Sequence, residues 1–106
     1  MAGFIVPPKF EGGSRGDITY WMMKMEVFFN TDWDTMLVVK EPFEVPKDKK
    51  GKKLRPRHWT EEQTTRSKVN DKVISILVDI LPSNVLSDVG EYKNAHDLWS
   101  KIKKVQ

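Results

Sequence analysis

The chain has no cysteine, only two histidines and two tyrosines, and no run of apolar residues approaching the ~18 that span a bilayer. The missing cysteines exclude disulfides, a thiolate nucleophile and cysteine-ligated zinc or iron–sulfur sites, and they suit a reducing compartment. Met1 to Pro8 is too short for a signal peptide. The expectation is a soluble cytoplasmic protein without a membrane partner. With 106 residues it has length for one domain with one core.

What is present is mostly helical patterning. Residues 1–16 read as an arm, because Pro7, Pro8, Gly12, Gly13 and Gly16 deny helix or strand a long run. Residues 17–106 read as a single helical domain. Its first helix is expected from an Asp17 N-cap to about Asn30, burying Ile18, Trp21, Met22, Met25, Phe28 and Phe29. A short second helix follows within Thr31–Val39, capped by Thr31 or Asp32, with Trp33, Met36 and Leu37 inward. Residues 41–58, with three prolines, form a long loop, and a short hairpin about Lys50-Gly51 is one option within it. Thr60 and Gln63 have the spacing of a capping box at the head of a third helix. The polar turns of that helix up to Lys68 are expected to project into solvent.

From Val69 to Leu81 the apolar positions cover about 200° of the helical circumference, far more than the ~100° of an ordinary surface helix. This stretch is expected to be the central helix, with the helices of Trp21 and Trp99 packed on it. Pro82 stops it, Ser83 or Asn84 caps a brief turn closed by Gly90, and Asn94 caps a last helix burying Ala95, Leu98, Trp99 and Ile102. The fold class is therefore all-α, a compact bundle of about five helices with the long basic loop between the second and third.

Catalytic chemistry finds no foothold. His58 and His96 lack a second ligand at metal spacing, and the pairs Asp32/Asp34 and Glu61/Glu62 sit where helix dipoles already favour them. There is no phosphate loop, dinucleotide fingerprint or nucleophile elbow. No catalytic, cofactor or metal residue is assigned, and the chain is read as a non-enzyme. The four tryptophans are read as core rather than a ligand cage.

Two surfaces remain as candidates. Tyr20, Met23 and Val27 gather on the side of the first helix opposite its main stripe, and Phe4, Ile5 and Val6 are apolar residues in the arm. These six are the candidate oligomer or partner interface, with a second intramolecular neighbour as the other explanation for the helix side. Between Lys47 and Arg57 stand seven bases and one acid, a net of +6, leaving 11 bases against 14 acids elsewhere, a net of −3. Lys47, Lys49, Lys50, Lys52, Lys53, Arg55 and Arg57 are thus the candidate nucleic-acid contact, weak and indifferent to sequence; a solvated loop is the other reading.

Taken together, Lys9-Phe10-Glu11-Gly12-Gly13, Tyr20-Trp21 with Lys24-Met25 and Phe28, Trp59-Thr60-Glu61-Glu62, the apolar helix from Val69, and Ala95-His96-Asp97-Leu98-Trp99 resemble the N-terminal Gag region of copia-type plant retrotransposons. The resemblance runs over roughly residues 9–102. It implies a capsid-like helical domain that self-associates in particle assembly without catalysis, making a homo-oligomer. The cysteine-bearing zinc knuckle of longer Gag proteins is missing from this sequence. A domesticated Gag-derived adaptor that binds a host protein or peptide stays open as the alternative, as does a weak RNA-binding module.

Overall fold

In the computed structural model, residues 6–10 and 15–105 are described, without the side chains of 15–17. Among them are five α-helices: α1 (Arg15–Asn30), α2 (Trp33–Lys40), α3 (Glu61–Ile80), α4 (Ser83–Val89) and α5 (Ala95–Lys104), with a 3₁₀ turn at Pro56–His58. The fold is all-α.

Local chemistry accounts for most helix boundaries. Asp32 caps α2 through its carboxylate, which accepts from the Thr35 N–H at 3.0 Å. Thr60 and Gln63 exchange hydrogen bonds of 3.1 and 2.8 Å at the head of α3, a complete capping box. Asn94 caps α5 through the Asp97 N–H at 2.8 Å, while the Asp97 carboxylate accepts from the Lys93 N–H. The brief helix α4 departs from expectation. Its N-cap is Pro82, which has no side-chain acceptor to offer, in place of Ser83 or Asn84. Helix α1 begins at Arg15, two residues ahead of the expected Asp17 cap.

Packing assigns the centre differently from the sequence. The short α2 runs against α1, α3 and α5, with Val38 and Val39 buried, so α2 is the hub. Helix α3 buries Val73 and Leu77, with Leu81 just past its end, but leaves Val69, Ile74, Ile76 and Ile80 half-buried and Val78 exposed. Its 20 residues extend about 30 Å, longer than α2 or α5, so neighbours cover one face and only part of the second. Nor do its first turns project: Gln63 and Arg66 are half-buried beside Leu37, Val38 and Phe43, because α2 lies along them.

Trp33 is 68% exposed, against the expectation that it turned inward. On α2 at 100° per residue, it falls about 170° from the direction that Val38 and Val39 bury, and it occupies the first turn. Four of the other large rings form an edge-to-face chain from Phe10 to Trp21 (5.2 Å between centroids), Trp21 to Trp99 (6.0 Å) and Trp99 to Phe29 (5.1 Å). This chain fastens α1 to α5, and α5 buries Ala95, Leu98, Trp99 and Ile102 together. The Trp21 indole N–H donates to the Pro8 carbonyl at 2.9 Å and ties the arm down beside it. The described residues span 48 × 39 × 18 Å, a flat slab rather than a rounded compact bundle.

Candidate interaction surfaces

Helix α1 divides into two faces. Trp21, Met25 and Phe29 are buried, while Tyr20, Met23 and Val27 are 62%, 62% and 66% exposed. No second intramolecular neighbour covers them among the described residues, which leaves an apolar stripe at i, i+3 and i+7 along one helix. Lys24 lies with its ammonium 4.7 Å from the Tyr20 ring centre. Of the arm residues paired with this stripe in the sequence reading, Val6 is 70% exposed, and Phe4 and Ile5 lie outside the described residues. Val6 and Pro7 line a shallow dent with Ile76 and Ile80 of α3.

Within residues 41–58 the basic segment folds into a small lobe around a turn at Lys50-Gly51, the hairpin option of the sequence. The Asp48 N–H donates to the Lys52 carbonyl and the Leu54 N–H to the Pro46 carbonyl, and Lys47 and Lys53 form an isolated antiparallel bridge. The turn closes on Gly51, whose φ of 82° suits a residue without a Cβ. Asp48, the lobe's one acid, accepts from the Lys50 and Lys52 N–H groups, each at 2.9 Å. Trp59 braces the base by donating its indole N–H to the Leu54 carbonyl at 3.1 Å and packing edge-on to Phe43. Lys47, Lys49, Lys50, Lys52, Lys53, Arg55 and Arg57 are all exposed, and none enters an ion pair among the described residues.

Asn70 was not legible as a site residue, yet it anchors the junction of three elements. It is buried, and its side-chain carbonyl accepts the Ala95 N–H at 2.8 Å. The buried Asn94 donates its amide to the Phe43 carbonyl at 3.2 Å, and His96 Nδ1 lies 2.7 Å from the Val39 carbonyl. A carbonyl only accepts, so Nδ1 carries the proton. The start of α5 is thereby tied to α2, α3 and the base of the lobe, a structural duty for His96. The one signal in the sequence is that Asn70 shares the i, i+3, i+7 stripe of Val73 and Leu77.

Two carboxylates are perturbed, and both sit at helix starts: Asp32 is the N-cap of α2, and Asp97 lies in the first turn of α5. The Thr35 N–H, then its hydroxyl, hold Asp32 below the usual carboxylate range; the Lys93 N–H, opposed by slight desolvation and aided by Lys101, does so for Asp97. Neither lies in a cleft with a nucleophile. No group of three or more His, Asp or Glu among the described residues is arranged to hold a metal ion, and no helix there is long and apolar enough to cross a membrane.

A groove of about 240 Å³ separates α2, residues 41–46 and the first turns of α3. It is lined by Leu37, Pro42, Phe43, Pro46, Gln63 and Arg66, and the Arg66 Nε is buried there without a partner while its other end pairs with Glu62 at 3.0 Å. Comparison with protein-family models, curated proteins and solved structures finds no match to this chain.

Proposed function

We propose that the chain is a structural, non-catalytic, Gag/capsid-like domain that works in the cytoplasm by associating with copies of itself through the outer face of α1. The observation that carries this reading is the exposure of Tyr20, Met23 and Val27, at 62%, 62% and 66%, on a helix whose opposite face is already core. Aromatic and methionine side chains are favoured in the centres of protein interfaces, where charge is depleted.

The stripe is also self-complementary. In a two-fold contact each residue meets its symmetry mate's counterpart. Two α1 helices laid antiparallel about the midpoint between Met23 and Lys24 set the large Tyr20 against the smaller Val27 at both ends. Met23 then lies near the axis beside the alkyl stem of Lys24. The face is small: 16 residues of helix make about 24 Å by ~10 Å, well below the ~800 Å² per partner of a stable complex. Association through α1 alone is therefore weak, and it gains strength where many copies are brought together.

Sedimentation velocity over a hundredfold range of concentration tests this. Weight-average mass should climb with concentration, and a strict monomer at the highest concentration would refute the proposal. The adaptor alternative draws on a separate observation, the groove lined by Leu37, Phe43, Pro46 and Arg66, which an extended peptide would fill. Under that reading, changes at Leu37 or Phe43 and not at Met23 abolish partner binding.

A further inference from the structure

The lobe between α2 and α3 carries features that self-association does not use. Its net charge of +6 is set against a body of −3, and its sole acid, Asp48, has one carboxylate oxygen occupied by two backbone N–H groups of the turn. Lys47 and Lys53 stand across from one another in the bridge, a like-charge pairing that destabilises a hairpin unless counter-charge is supplied. Within the protein none is supplied, since no ion pair of the described residues involves residues 47–57. The turn nevertheless holds its shape through Gly51, the Asp48 bonds and the Trp59 brace. Seven cations are thus displayed on a frame whose one anionic member is Asp48.

We infer that this lobe is a binding site for the phosphodiester backbone of nucleic acid, engaged without reading bases. Five of the seven cations are lysines, which bind phosphates as mobile point charges without the fixed fork of arginine, and they stand on an exposed turn. A repeating, flexible polyanion fits such a surface. The lobe offers bases no stacking platform, because Phe43 and Trp59 are packed on one another and half-buried. It offers a membrane no apolar wedge either, since Val45 and Leu54 are also half-buried. That favours nucleic acid over an anionic bilayer. The inference does not rest on the self-association reading, and it uses no residue of α1.

The test is fluorescence anisotropy of a labelled 20-nucleotide oligouridylate, titrated with the intact chain between 50 and 200 mM KCl. With all seven cations engaged, the single-strand slope of about −0.7 per phosphate predicts roughly 900-fold loss of affinity over that range. Replacing Lys49, Lys50, Lys52 and Lys53 with Gln leaves three cations, and the loss should shrink to about 20-fold. Circular dichroism should be unchanged, because these side chains pack on nothing. Oligoadenylate should bind within a few-fold of oligouridylate. Equal salt slopes for the two proteins would overturn the assignment, as would strong preference for one base. Binding to phosphatidylserine vesicles without binding to either oligonucleotide would overturn it in favour of a lipid surface.

Discussion

Replacing Asn70 tests the junction on which α5 is seated. Its side-chain carbonyl is the acceptor for the Ala95 N–H, and both residues are buried, Ala95 completely. Asn70→Ala removes that acceptor and leaves a donor that water cannot reach, which costs about 1–3 kcal/mol. For a domain near 100 residues, 2 kcal/mol corresponds to a fall of about 8–16 °C in thermal midpoint. Cavity formation would contribute as well, so Asn70→Leu is the informative companion: it restores volume but not the acceptor. Both variants should lose stability in urea with an unchanged m-value, and Leu should not rescue Ala. Asn94→Ala should also destabilise, through the lost cap and the lost tie to Phe43, and the double variant should fall short of the sum because both act at the same helix start. A wild-type midpoint for Asn70→Leu would refute the reasoning, since it would mean the Ala95 N–H needs no partner there.

Core truncation should separate the two sides of α3. Leu77→Ala, at a fully buried site, should cost about 2–5 kcal/mol by urea denaturation, and half-buried Ile76→Ala distinctly less. Asp32→Ala should cost about 1 kcal/mol as a lost cap, measurable by the same titration. Asp32 and Asp97 have folded pKa values lowered by hydrogen bonds, so their stabilisation is complete above the unfolded carboxylate pKa and disappears as pH falls through the lowered folded values. Thermal melts should therefore be flat from these two groups near neutrality and decline below about pH 4, less steeply in Asp32→Ala. Met23→Glu with Val27→Glu should leave the melting temperature close to wild type while reducing the sedimenting mass at high concentration. Unfolding of that variant would mean that the outer face of α1 is ordinary core.

The parts of the fold legible in the sequence are those fixed within one or two helical turns. The Thr60–Gln63 box, the Asn94 cap and the α5 stripe of Ala95, Leu98, Trp99 and Ile102 depend on residues close together in the chain. The basic segment and the apolar back of α1 were visible as composition and spacing, and the turn at Lys50-Gly51 as one option, although the part of the Asp48 carboxylate in holding that turn was not, because it accepts from backbone N–H groups that carry no hydropathy signature. Trp33 misled because an eight-residue helix has too few turns for periodicity to choose between faces. Centrality was assigned to α3 on the breadth of its apolar arc, but which element is surrounded depends on tertiary placement, and α2 holds that position with Val38 and Val39. Asn70 escaped notice since its partner is 25 residues away.

Self-association through α1 is most directly tested by disulfide trapping, for which a chain without cysteine is well suited. Met23 lies nearest the two-fold axis of an antiparallel α1 pair, where Cα atoms of symmetry mates approach bonding range. Met23→Cys is compared with Asp79→Cys, another exposed helical site that lies on α3. Under mild oxidation at matched concentration, Met23→Cys should accumulate disulfide-linked dimer much faster than Asp79→Cys, with the fold retained. Equal rates of cross-linking at the two positions would contradict the proposal that copies of this chain meet through α1.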